Sequence, residues 1–206
     1  MGLGKILRSV GRSVSFQGVA PRASDYDRKN LSGVAEGFPY HNIPTNSAEG
    51  AWLSNLTRTL ARGWGARTQI SSIDHGPLDV ILNSSSCRYL FPFLIGARQR
   101  NWNVIIDVVE WYDYSHLPYG RFGPRALDCH ISMKAIVPRA SGVIAISTFL
   151  ERYYLERGLP VVRIPQVVDL DDPTWNFAQP SSFDPGCINL VYAGFPGQKD
   201  LLGNVV

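Results

Sequence analysis

The chain of 206 residues is 45% hydrophobic and 18% charged, which supplies enough apolar material for a core and argues against disorder throughout. Its 20 Lys and Arg against 17 Asp and Glu leave a net charge of +3, too small a bias to argue for nucleic-acid binding. Three cysteines, Cys87, Cys129 and Cys187, are odd in number and far apart, which argues against a disulfide framework or a zinc site and fits a reducing compartment.

The first segment, "LGKILRSVGRSVSFQGV", reads as a helix end, a glycine stop at Gly11, and a strand in which Val14, Phe16 and Gly18 alternate. Lys5, Arg8, Arg12 and Arg22 all precede the first acid, Asp25, a bias shared with organellar transit peptides. The helix and strand reading is retained, and no continuous apolar core of a secretory signal is present. "PRASDYDRKNLSGVAEGFPYHNIPTN" is then read as a polar loop. A helix over 47–62 follows, capped by Asn46 with Glu49 answering the cap.

Residues 78–83, "LDVILN", form a short buried-strand candidate, and "SSSC" leads into a helical stretch ending near Arg100. Its longest strongly apolar part, 90–97, contains Pro92 and stops at Arg98, far short of the ~20 residues of a membrane span. "NVIIDVV" is a stronger strand over 103–109. The loop "EWYDYSHLPYGRFG" leads to a helix over 124–139, with Pro124 in the first turn where its missing N–H costs nothing. "GVIAIS" is another strand, "TFLE" after it reads as a capping box of Thr148 with Glu151, that helix ends at Gly158, and "PVVRIP" adds a last strand.

Strands and helices alternate with short links, and the strands are apolar on both faces. This predicts an α/β fold, a Rossmann-like parallel sheet with helices on both faces. Ligands of such sheets sit at the carboxyl ends of the strands, which accounts for the polar cluster Glu110, Asp113 and His116 beyond "NVIIDVV". Residues 167–187, rich in Pro, Asp and Ser, read as a linker between a domain over 1–166 and a new strand and helix start over 188–206.

"GVIAISTFLERYYLERG", "VVRIPQVVDL", a linker and "LVYAGFPGQKDLL", in that order, resemble the family 4 glycosyltransferases of the GT-B fold. "DVVEWYDYSHLPYGRFGPRALD" is similar to members that build bacterial polysaccharides. The resemblance implies retaining, metal-independent transfer of a sugar from a nucleotide-sugar donor, a co-substrate rather than a cofactor, to a polysaccharide or lipid-linked acceptor. It also implies that the first strand of the acceptor domain and most of the donor domain are missing here, as in a fragment of a longer enzyme. A truncated chain with only a binding role is the alternative.

Under that resemblance Glu110 or Asp113 orients the acceptor hydroxyl and His116 bonds the sugar or a phosphate, against the reading that these residues organise their own loop. Lys199, with Gly197 beside it, corresponds to the family lysine on the donor diphosphate, although Phe195, Pro196 and Gly197 stand where an arginine often precedes it. Ser84, Ser85, Ser147 and Thr148 fall where helix amino-termini offer N–H groups to an acceptor or anion, capping being their default role. The aromatic cluster of Trp102, Trp111, Tyr112, Tyr114 and Tyr119 is read as packing before sugar stacking. Arg98, Arg100, Arg121 and Arg125 are read as a solvated basic face before a contact with anionic lipid. A cytoplasmic location, with peripheral contact at the inner membrane face, follows from the same resemblance. No spacing suggests a metal site.

Overall fold

The computed structural model describes residues 2–21, 31–45, 76–83, 86–112, 117, 119–166 and 186–187. The chain divides into two compact units, Met1–Val167 and Val168–Val206, and the elements below belong to the first.

The amino-terminal part follows its sequence signals closely. Helix α1 spans Gly2–Ser9 and stops at Gly11, whose φ of 79° is left-handed. There the N–H of Arg12 bonds the Leu7 carbonyl and that of Gly11 bonds the Arg8 carbonyl, a Schellman closure. Strand β1, Phe16–Pro21, comes next.

The stretch read as a polar loop contains a hairpin instead, β2 at Ser32–Ala35 and β3 at Phe38–Thr45. Its two-residue turn is Glu36 and Gly37, with φ of 50° and 77°. Positive φ at both positions matches the right-handed twist of the strands they join, so the two strands pair across a two-residue turn. Strand β1 pairs in parallel with β3, and β2 pairs antiparallel on the other side of β3. The predicted strand at Phe16 therefore exists, but it belongs to this separate three-stranded sheet. A local core forms where Phe16 meets Phe38 edge to face, centroids 5.4 Å apart, and the Arg8 guanidinium lies 3.6 Å over the Phe38 ring. At Gly4 a Cβ would approach Phe16 Cζ to 2.9 Å, so a larger residue there would have to displace the Phe16 ring.

The larger sheet has four parallel strands in sequence order: β4 at Asp79–Leu82, β5 at Asn103–Val108, β6 at Gly142–Ala145 and β7 at Val161–Arg163. They are joined by α2 at Cys87–Gln99, α3 at Pro124–Ile131 and α4 at Thr148–Leu155. When successive parallel strands add in one direction and each crossover is right-handed, every connecting helix falls on the same side. The packing agrees: Val104, Ile106 and Val108 of β5 and Val143 and Ala145 of β6 share one core with Leu90 and Phe93 of α2 and Leu150 and Tyr154 of α4. The alternate residues Ile81, Ile105, Ile144 and Val162 lie outside that core, on the other face. Among the described residues, helices thus cover one face rather than both, and the helix read over 47–62 lies outside them.

The helix ends repeat one solution. Asn101 and Gly158 take φ of 55° and 77°. The N–H groups of Trp102 and Leu159 reach back to the Ala97 and Tyr154 carbonyls, which closes the last turns of α2 and α4. The amino-terminus of α4 differs from expectation by one residue: Ser147 is the cap, its Oγ accepting the Leu150 N–H at 3.3 Å. Ser147 is still extended at φ −131°, ψ 156°, so its hydroxyl can fold forward over the first turn. Glu151, expected to answer the cap, pairs with Arg163 Nε at 3.3 Å on β7.

Past Ile131 the third helix widens into a π turn, Ser132–Ile136, and then tightens into a 3-10 turn, Val137–Arg139. Pro138 explains the change: it has no N–H for the Lys134 carbonyl, and its ring crowds that oxygen. The preceding turn opens so that the Val137 N–H bonds the Ser132 carbonyl five residues back.

Candidate functional site

The carboxyl ends of β4 and β5 carry a polar pair, as their amino ends do in Asp79 and Asn103. Leu82 lies beside Ile106 in the register, so the next residues, Asn83 and Asp107, are neighbours, and Asn83 Nδ2 donates to Asp107 Oδ2 at 3.2 Å. Partial burial pushes the Asp107 carboxyl above its ordinary range, and the hydrogen bond from Asn83 offsets part of that rise.

These two residues border a cleft of about 50 Å³ at the strand ends. Val108, Val109, Met133 and Val137 form its apolar wall, and Glu110, Tyr112 and Ser132 complete the lining. A single water needs roughly 10–15 Å³ of such space, so the cleft has room for a few waters or one edge of a small polar molecule. It is far below the several hundred Å³ of a typical cofactor pocket. Ser132 lies at the start of the π turn and is 0% exposed, yet its Oγ has no hydrogen-bond partner. A helical serine ordinarily bonds the carbonyl four residues back. A buried hydroxyl left unpaired costs about 1–3 kcal/mol.

The amino-terminus of α2, expected to offer N–H groups to an anion, is already served by the chain. Asp128 of α3 accepts the Cys87 backbone N–H at 3.1 Å and the Cys87 thiol at 2.7 Å, while Arg88 Nε lies 3.9 Å from the same oxygen. Burial first, then the Asp128 carboxylate, pushes the Cys87 thiol up to about 12, so it stays protonated as a donor. Ser147 spends its hydroxyl on capping and Thr148 is exposed at the first helical position. Capping is thus the observed role of Ser147, and Thr148 takes no part in it.

Of the residues singled out in the sequence, Glu110 lines the cleft. Asp113, His116, Ser84, Ser85, Gly197, Lys199 and Tyr114 lie outside the described residues. Trp102 is a core residue at 5% exposure, with Nε1 donating to the Gly76 carbonyl at 2.9 Å. Trp111 packs edge to face against Phe149 at 5.3 Å and Tyr153 at 4.8 Å. Tyr112 borders the cleft, whereas Tyr119 and its neighbour Phe122 are 87% and 91% exposed beside Arg121. Arg98, Arg100, Arg121 and Arg125 are all exposed.

Asn83, Asp107 and Ser132 were not foreseen. The first two carried a readable signal, because an aspartate inside "NVIIDVV" interrupts a run of β-branched residues and an asparagine ends the adjacent strand. Ser132 had none, since a serine within "LDCHISMKAI" looks like any helical serine.

Among the described residues no group of three or more His, Cys, Asp or Glu could hold a metal ion, and no helix is long and apolar enough to cross a membrane. Comparisons with protein-family models, with curated proteins and with solved structures give no match to this chain.

Proposed function

We propose that the unit Met1–Val167 supplies the acceptor side of a retaining, nucleotide-sugar-dependent glycosyltransferase acting on a polysaccharide or lipid-linked sugar. The observation that carries this reading is the cleft at the carboxyl ends of the parallel strands, where Asp107, held by Asn83, and Glu110 gather around a space suited to a hydroxyl-bearing edge. A carboxylate there accepts the acceptor's O–H and increases the electron density on its oxygen, which is what attack at an anomeric carbon needs. In this reading Glu110 or Asp113 orients the hydroxyl, His116 bonds the sugar or a phosphate, and Lys199 with Gly197 steadies the leaving diphosphate. A lipid-linked acceptor fits the exposed Tyr119 and Phe122 beside Arg121 and Arg125, a surface able to meet an anionic membrane face from the cytoplasmic side.

The size of the cleft favours a second reading for the chain acting alone. About 50 Å³ takes part of an acceptor but no nucleotide, so a non-catalytic binding role is its natural limit. Nucleotide release from UDP- and GDP-sugars, measured with and without an oligosaccharide acceptor, separates the two. Release above a protein-free control that falls in Glu110→Ala supports transfer. Acceptor binding without release supports the binding role, and neither signal overturns both.

A further inference from the structure

We propose that the Ser132 hydroxyl is a ligand contact, the floor of a subsite in which one hydroxyl of a neutral carbohydrate is held between Ser132 and the Asp107 side of the cleft. This rests on the acceptor-sugar reading and names a residue that the reading by itself does not require.

Four observations converge on Ser132. It is fully buried, its Oγ is without a partner, it lines the cleft, and it begins the π turn. Unpaired buried polar groups are rare in native proteins and call for a reason. π turns occur disproportionately at functional sites. Here the turn follows from Pro138, so an irregular winding and an orphan hydroxyl meet beside the Asn83–Asp107 pair at the carboxyl ends of the strands.

The chemistry of the surrounding groups narrows the ligand. Asp107 offers an acceptor, Asn83 spends a donor on it, and the apolar wall of Val108, Met133 and Val137 suits C–H rather than charge. A serine hydroxyl both donates and accepts, and so does a sugar hydroxyl, so one such group satisfies Ser132 and a carboxylate together. A phosphate would bring like charge towards Asp107 and Glu110 in a partly desolvated cleft. The limited volume admits a hydroxyl or hydroxymethyl arm with a ring resting at the mouth.

The test uses the full chain, with methyl α- and β-glucosides, galactosides and mannosides as probes, read by saturation-transfer NMR and by thermal melting. Ser132→Ala is expected to weaken the best-bound glycoside by about tenfold, the loss of one hydrogen bond, while the melting temperature stays level or rises because the orphan hydroxyl is gone. Ser132→Cys, which keeps a side chain in the slot but is a weak donor, is expected to weaken binding similarly. Unchanged binding in both variants, or a lower melting temperature in Ser132→Ala, would overturn the subsite and leave sugar binding intact. Glycoside binding that depends on Ser132 without nucleotide release in any assay would overturn transfer and leave the subsite. No binding of any glycoside by the wild-type chain would overturn both.

Discussion

The thiol of Cys87 donates to the Asp128 carboxylate across 2.7 Å, and the same oxygen accepts the Cys87 backbone N–H at 3.1 Å. One side chain of α3 thereby fastens the start of α2 and holds the thiol in its protonated form.

Thiol labelling should register this. With the Cys87 thiol pushed up to about 12 and Cys129 buried and also raised, both should resist a disulfide reagent at pH 8 in the native chain, while the exposed Cys187 reacts. Mass mapping of the labelled sites is the check. Asp128→Asn should speed labelling at Cys87 by removing the carboxylate that holds its proton, and equal native rates for all the cysteines would contradict the arrangement.

Asp107 gives a pH signature. Its folded carboxyl lies above the ordinary range through burial, so the folded state binds the proton more tightly than the unfolded chain does. The group's favourable contribution is full below the unfolded value and is lost as pH rises through the folded one. Above the folded value its ionised form opposes folding. Asp107→Asn, which still accepts from Asn83, should therefore melt higher than wild type at pH 7. The gap should close as pH falls towards 4; a gap independent of pH would remove the desolvation argument.

Tyr154 anchors the helical face. It is 0% exposed and its hydroxyl donates to the Met133 carbonyl at 3.3 Å, tying α4 to the π turn. Tyr154→Phe should cost about 1 kcal/mol and Tyr154→Ala roughly 3–5 kcal/mol in denaturant unfolding. A Phe variant as damaged as the Ala variant would mean that the hydroxyl, not the ring, carries the packing.

Glu110 is the sequence-selected carboxylate that lines the cleft among the described residues. If the chain transfers sugar, Glu110→Ala should lower nucleotide release on the order of 10²-fold with little change in melting temperature. Kinetics at saturating donor measure this, and a variant that keeps full activity would move the role to another group.

Tyr119 and Phe122 offer a membrane test. Sedimentation with vesicles containing anionic lipid should retain the wild-type chain and lose Tyr119→Ser together with Phe122→Ser, with weaker retention at high salt because Arg121 and Arg125 supply the charge. Equal retention by neutral vesicles would point to apolar adhesion alone.

Much of the parallel sheet was legible in the sequence. Continuous β-branched runs such as "NVIIDVV" and "GVIAIS" are strands because β-branched residues suit the extended backbone and their runs are bounded by turn residues, and Gly11, Pro124 and Gly158 mark helix boundaries through backbone geometry that is local. The β2–β3 hairpin was not legible. Its strands, "SGVA" and "FPYHNIPT", lack a β-branched run and carry Gly and Pro, and its turn is Glu36 and Gly37 rather than the Asn-Gly or Asp-Gly that announces such turns. The cap of α4 was misplaced by one residue for a related reason. Ser147 and Thr148 are chemically equivalent caps, and only the backbone angle of Ser147 chooses between them.

Sequence by itself determined which runs of the larger sheet become strands and where its helices begin and end, because hydrophobic runs, caps and turn residues act over a few positions. Tertiary structure alone decided which face the helices cover, through the constant hand of successive crossovers. It alone joined Asn83 to Asp107 through strand register, and it set Asp128 on the amino-terminus of α2 from 41 residues away. It also stranded the Ser132 hydroxyl, whose isolation depends on what does not reach it once Pro138 has opened the helix. Contacts between residues distant in sequence arise only when the chain has closed on itself, and no local pattern encodes them.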